Sequence, residues 1–181
     1  MSRVFGAIRQ NGFVVRDLAA ALEHWTRVLG IGPFFYMENA RPADYRYRGA
    51  PSNAAVSLAL SYSGGVQIEL FSPVDDQPSM AREFLAAGHI GLQHVAYWFD
   101  SPNAMDAALA KLPALGYTEV QSGRFGDPGR FVHIESPAAP GVCIELSEVA
   151  GYKAELFAEV EAAASAWDGV TDPIRRVMPR R

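Results

Sequence analysis

Two hexapeptides, GVQIEL from Gly65 to Leu70 and GVCIEL from Gly141 to Leu146, write the same apolar run with a glutamate at the same step. A carboxylate inside an apolar strand is costly unless something compensates it. The recurrence of Glu69 and Glu145, 76 residues apart, therefore points to a shared task. Side chains of a strand alternate between its two faces. Val66, Ile68 and Leu70, and likewise Val142, Ile144 and Leu146, are expected to face covering helices, with Gln67, Glu69, Cys143 and Glu145 on the other side. Two further strand-like stretches, IRQNGFVV and LQHVAYWF, offer Gln10 and His94 on their inner faces. Two carboxylates, an imidazole and an amide oxygen make a mixed N/O donor set for a divalent cation such as Zn, Ni, Co or Mn. The expected ligands are thus Gln10, Glu69, His94 and Glu145.

These four residues need a scaffold that brings them together, and the chain reads as one unit written twice. In the first copy, IRQNGFVV is a strand and RDLAAALEHWTRVLG a helix, capped by Asp17 and ended by Gly30. A short strand PFFYME follows, then a hairpin of AAVSLALS and VQIELFS around Tyr62 to Gly65. The stretch from Asn39 to Asn53, rich in Arg, Pro, Tyr and Gly, reads as a loop. In the second copy, LQHVAYWF is a strand and Pro102 to Leu115 a helix whose last turn Pro113 bends or shortens. Then come a strand YTEV, a Gly-rich loop SGRFGDPGR, and a hairpin of RFVHIES and GVCIELSE around Pro137 to Gly141. The expected class is α+β, with tandem βαβββ modules at 7–78 and 89–149. Residues 150–181 add the amphipathic helix KAELFAEVEAAASAW, expected to pack on this core or on a second subunit, and a tail that turns and runs out. Two long copies do not make a solenoid; they suggest two modules that build one site between them.

Composition narrows the setting. A chain of 181 residues with 49% apolar content suits one compact unit or two small modules sharing a core. No stretch approaches the roughly 18 consecutive apolar residues that span a bilayer, and MSRVFGAIRQ lacks the pattern of a signal peptide. The lone cysteine, Cys143, permits no internal disulfide and fits a reducing compartment. No base is arranged to activate it. The net charge of −4 argues against nucleic acid as a partner. The short basic tail RRVMPRR reads as solvated charge. The expectation is a cytoplasmic protein with neither membrane nor nucleic-acid partner.

The pieces QNGFVVRDLAAALEHWTRVLGIGPF, VQIELFSP, GLQHVAYWFD and GVCIELSE, in this order, resemble the vicinal oxygen chelate superfamily, which includes glyoxalase I, methylmalonyl-CoA epimerase, extradiol dioxygenases and antibiotic-resistance proteins. The resemblance runs from about Ile8 to Glu148. It implies paired modules forming a U-shaped barrel, and an ion held by one residue from each first and last strand. By position these are again Gln10, Glu69, His94 and Glu145. It also implies a homodimer. The set Gln/Glu/His/Glu resembles animal-type glyoxalase I, whereas GPFF and GLQHVAYWFD are closer to methylmalonyl-CoA epimerase. That epimerase is expected to carry a second catalytic glutamate on the third strand, where this chain has Ser57, with Ala59 next on the same face.

The shared chemistry implied is a metal-polarised carbonyl whose α-proton a carboxylate removes, through an enediolate or enolate. Glu69 and Glu145 are the expected catalytic residues, as ligand and base. His133 alternates away from Val132 and Ile134 and is expected to line the cavity, with Trp98 as a wall. Arg46 and Arg48, beside Tyr45 and Tyr47 in the long loop, and Arg124 and Arg130 are candidates for binding an anionic tail, a carboxylate or a thioester-cofactor phosphate, on a small carbonyl substrate. Two other functions fit the same fold. One is a protein that sequesters a small molecule, which would need no metal ligands. The other is an extradiol-type dioxygenase, which Gln10 in place of a histidine disfavours.

Overall fold

The structure is a computed structural model and describes residues 1–138, 141 and 143–177. In chain order its elements are β1 (Ile8–Val14), α1 (Leu18–Arg27), β2 (Phe34–Ala40), β3 (Ala43–Tyr47), β4 (Ala50–Pro51), β5 (Val56–Ser63), β6 (Val66–Pro73) and α2 (Met80–Ala86). They continue with β7 (Gly91–Phe99), α3 (Pro102–Leu109), β8 (Thr118–Arg124), β9 (Arg130–Glu135), β10 (Cys143–Glu148), α4 (Gly151–Ala166) and β11 (Ile174–Arg176). All eleven strands join one sheet, in the order β11-β2-β5-β6-β1-β7-β10-β9-β8-β3-β4.

The duplication is written in the pairing. β1 runs parallel to β6, which is antiparallel to β5, and β5 to β2. β7 likewise runs parallel to β10, which is antiparallel to β9, and β9 to β8. The two halves meet through the antiparallel pair β1–β7. The first and last strands of both units are therefore the four central neighbours β6-β1-β7-β10. On the outer face, Leu22 of α1 packs with Phe34, Ala59, Ile68 and Leu70, and Met105 and Ala108 of α3 pack with Val132, Ile134 and Leu146. Asp17 caps α1 as expected, its side chain accepting from the Ala20 N–H at 2.9 Å. Val142 lies outside the described residues, as do Ala139 and Pro140 of the expected turn and the last four residues of the tail.

The sheet curls until its ends approach. β2 lies near one end of the strand order and β3 near the other, yet only two residues separate Ala40 from Ala43. Three Cα steps span at most ~11 Å, so the segment crosses the open side of the U. This corrects the reading of 39–53 as a loop: it is a strap, with β3 pairing to β8 through Ala43–Arg124, Arg46–Ser122 and Tyr47–Gln121. Buried Tyr45 packs on Phe131 and Ala54, and its hydroxyl bonds Gln121. β8 runs on to Arg124, into the expected Gly-rich loop, because this edge gains a partner.

Smaller differences have equally local causes. The sequence reading assigns nothing to 79–88, where Ser79 caps the short α2. DPIRR does not run out but adds β11 to the free edge of β2, in parallel. Pro113 does cut the second helix short: α3 ends at Leu109, and Pro113–Leu115 is a separate 3-10 turn. α4 packs on the core of its own chain. Leu156, Phe157 and Val160 meet Phe35, Met37, Leu58, Leu60 and Tyr62 on the concave face of the first half-sheet. Leu156→Ala should therefore lower the unfolding free energy by about 2–5 kcal/mol. In urea titrations the midpoint falls while the slope stays that of the parent.

Candidate metal centre

The register of the four central strands decides which side chains meet. Gln10 pairs with Gln67 across β1–β6, and Gly12 stands opposite Glu69 on one side and His94 on the other. Glu145 of β10 lies opposite Ala96 of β7 and His133 of β9. Gly12 is required by space: a Cβ there would lie 2.0 Å from His94 Cε1, so the imidazole rests directly over the β1 backbone. Gln10, Glu69, His94, His133 and Glu145 all line one cavity on the concave face.

His94 is the hub. Its Nε2 is 3.3 Å from Glu69 Oε2 and 3.6 Å from Glu145 Oε2. His133 Nε2 is 3.3 Å from the same Glu145 oxygen. One donor atom each from His94, His133 and Glu145 fall within 4.8 Å of one another. On the far side of the ring, His94 Nδ1 is 2.8 Å from Gln93 Oε1. An amide oxygen only accepts, so Nδ1 carries the proton and the Nε2 lone pair is turned toward the carboxylates. That Nε2 is buried without a hydrogen-bond partner. An outer partner that fixes the tautomer and leaves an unsatisfied inner nitrogen is the arrangement of a metal-ligating histidine. Gln10 Nε2 donates to Gln67 Oε1 at 2.7 Å, and Gln67 Nε2 in turn donates to the Tyr62 hydroxyl at 3.3 Å. This chain commits the amide nitrogen of Gln10 and leaves its oxygen as the available donor atom. The residues present fit a divalent ion.

The charges are interlocked. Burial opposes protonation of His94, but the neighbouring carboxylates of Glu69 and Glu145 outweigh burial and raise its pKa. His133 lacks that support: burial, only partly countered by Glu145, lowers it to about 4. Burial would raise the Glu145 carboxyl, yet His133, His94 and Lys153 hold it below the usual range. Lys153 comes from α4, is buried, and donates from Nζ to Ser147 Oγ at 2.6 Å. Burial lowers its pKa against the pull of Glu145, Glu69 and Glu148. Cys143 is buried with a strongly raised thiol pKa, an inert core residue.

The other expected site residues lie elsewhere. The cavity is lined on β5 by Val56, Leu58 and Leu60. Ser57 therefore belongs to the opposite face, where its Oγ accepts from the Asn39 N–H at 3.1 Å. Trp98 is not among the lining residues; it packs on Phe157 at 4.9 Å, with Arg9 over its ring. None of the four arginines lines the cavity. Arg46 bonds the Gly49 carbonyl. Arg48 pairs with Glu83 at 2.8 Å, Arg124 with Asp44 at 2.7 Å, and Arg130 with Asp106 at 2.9 Å and buried Glu148 at 3.2 Å. Sequence reasoning missed His133 as a donor, Gln93 as the residue orienting His94, and Lys153. An isolated glycine in a strand, Gly12, was the one legible sign of a side chain approaching the backbone.

Residues 9–133 match the family model described as the Glyoxalase/Bleomycin resistance protein/Dioxygenase superfamily. Similar solved structures include methylmalonyl-CoA epimerase from Mycobacterium tuberculosis, at 24% identity and TM-score 0.60, covering 86% of this chain and 95% of that one. A variant of the Streptomyces coelicolor methylmalonyl-CoA epimerase in complex with 2-nitronate-propionyl-CoA aligns at 19% identity and TM-score 0.58, covering 80% and 97%. A hypothetical protein from Bacillus halodurans C-125 aligns at 17% identity and TM-score 0.56, covering 78% and 93%. At these identities the likeness is one of fold. No curated relative matches the sequence.

Histidine titration tests the site directly. In metal-free protein, NMR should show one imidazole, His94, titrating above the ordinary 6.5 and another, His133, staying neutral down to about pH 4. Because the folded pKa of His94 is raised, its contribution to stability is present below about pH 6.5 and lost as pH rises through the raised value. A divalent ion should abolish the His94 titration. Gly12→Ala displaces the ring, and zinc affinity measured by chelator competition should fall at least ~10-fold.

Proposed function

The chain belongs to the glyoxalase/bleomycin resistance protein/dioxygenase superfamily, and on that premise we propose that it is a divalent-metal-dependent isomerase or lyase moving a proton α to a substrate carbonyl through an enolate or enediolate. The observation that carries this reading is His94, its outer nitrogen held by Gln93 and its inner one buried, unsatisfied and facing two glutamates. Gln10, Glu69, His94 and Glu145 would hold the ion, with His133 beside them. A bound divalent ion would supply Lewis-acid polarisation of the carbonyl, worth several kcal/mol.

The rest is the work of the chain's own side chains. Glu145, kept ionised by His133, His94 and Lys153, is suited to accept the α-proton. Glu69, mostly buried but lining the cavity, is the second carboxylate that can carry or return it. Lys153, bonded to Ser147 on the same face of β10, is among the groups that hold the Glu145 carboxyl low. The apolar walls exclude water and strengthen each of these interactions. A homodimer in the cytoplasm belongs to the same proposal.

One observation favours a second reading. His94, His133 and Glu145 form a two-histidine, one-carboxylate group, the donor type of non-haem iron(II) oxygenases. Glu69, 3.3 Å from His94, adds a further anionic donor where oxygen chemistry needs an open position. Proton transfer is thus the better supported of the two.

Elemental analysis of protein purified without added metal separates the readings. Zinc, nickel, cobalt or manganese near one equivalent is the expected result, iron would favour the dioxygenase, and no metal would favour a sequestering protein. Glu145→Gln should keep the circular dichroism spectrum of the parent yet slow α-proton exchange, followed as deuterium wash-in to a ketone, by at least ~100-fold.

A further inference from the structure

The cavity above the metal centre has a volume of about 140 Å³ and is partly open to solvent. Its body is hydrocarbon: Met37, Leu58, Leu60 and Phe71 from the first half-sheet, closed over by Leu156 and Phe157 of α4. The strap adds Pro42, Tyr45 and Ala54 on another side. An apolar cavity of about 150 Å³ accommodates a benzene-sized ring. The carboxylates, imidazoles and the amide of Gln10 converge at the floor, and Tyr45, Ser79 and Gln121 are the polar lining residues of the strap side.

Charge is distributed to match. Among the described residues, Lys153 is the one lysine or arginine that lines the cavity, and it belongs to the floor, bonded to Ser147 two residues beyond Glu145. No described arginine or lysine stands against the hydrocarbon body. Of the arginines in and beside the strap, Arg41 pairs with Asp75 at 3.1 Å, Arg48 with Glu83 and Arg124 with Asp44, while Arg46 bonds the Gly49 carbonyl and none of them lines the cavity. Outside α2, a shallow surface depression carries Arg16 and Arg82, and Arg82 is paired with Asp76. A phosphate or carboxylate carried into the body of the cavity would thus meet apolar side chains and no described guanidinium group. An unpaired anion buried among apolar groups is strongly disfavoured.

We infer that this site takes a compact carbonyl compound with a ring-sized or branched hydrocarbon body and no distal anionic group or charged carrier. The assignment rests on the reading of the floor as the place that holds the carbonyl oxygen. α4 and the strap set this specificity, because both lie across the open side of the curled sheet and supply side chains to the upper walls.

The test is binding to the full-length, metal-loaded chain, followed by NMR shift titration with three probes: cyclohexanone, 4-oxocyclohexanecarboxylate and propionyl-CoA. Cyclohexanone should saturate, shifting signals of Leu58, Leu60 and Leu156, and the carboxylate-tagged ketone and the thioester should bind at least ~100-fold more weakly. Val56→Lys, at a partly exposed lining position, should restore binding of the tagged ketone. Equal or tighter binding of either anionic probe by the parent, or no binding of cyclohexanone, overturns the assignment. Metal content of the same samples keeps the two claims apart. Metal retained with an anionic probe preferred defeats the substrate class alone. Cyclohexanone bound by protein that takes up no metal supports the substrate class and defeats the metal-dependent reaction.

Discussion

A carboxylate withdrawn from water costs several kcal/mol unless a cation or a set of donors answers it, and Glu145 is buried in the seam between two half-sheets. The groups around it are arranged in answer. His94 and His133 approach it from two neighbouring strands, and Lys153 reaches in from α4. Glu69 repeats the demand from the other half, and His94 lies between the two glutamates. A divalent ion would meet both carboxylates and the unsatisfied Nε2 together. Without one, the cluster depends on a proton held by His94, so proton and metal compete for the same lone pair.

The backbone serves that cluster. Pairing each unit's first strand in parallel with its last, and the two first strands antiparallel, puts four matched positions side by side. No single unit supplies both an imidazole and two carboxylates, so the site exists only at the junction. Gly12 then allows the imidazole to cross the seam, since any side chain there would occupy the ring's place. Fold and chemistry thus share one requirement: the central strands must keep register, because a shift of one residue turns His94 or Glu145 to the helix side.

The sequence revealed the part of this that depends on local pattern. Alternation in GVQIEL and GVCIEL separated Glu69 and Glu145 from the helix-facing residues, and the same parity placed His94. It failed where both faces of a strand are buried. In β5, Val56, Leu58 and Leu60 face the cavity, whereas Ser57 and Ala59, the face singled out from the sequence, belong to the other side. Alternation names two faces without saying which is inward. The strap was hidden for a different reason: β3 finds its partner in β8, far along the chain, and nothing within 39–53 encodes that edge. The pairing of His133 with Glu145 is a matter of register and equally non-local. The arginines read as free cations because a sequence does not show that Glu83, Asp44 and Glu148 are waiting for them.

The duplicated unit and its additions divide the labour. The βαβββ repeat accounts for the seam and its donors, but it leaves the concave face of the first half-sheet, with Phe35, Met37, Leu58 and Leu60, without a cover. Such a surface would draw another chain or a ligand to itself. α4 covers part of it with Leu156, Phe157 and Val160, and the strap crosses the opening from the other side. What stays uncovered is the cavity, and its shape follows from two segments that carry none of the strand donors. Change in α4 or in the strap would therefore alter what is bound while leaving the register of the central strands untouched. Lys153 is the exception that ties the two layers together: it rides on the covering helix but balances charge at the floor. Docking of α4 is for that reason part of building the centre as well as of enclosing it.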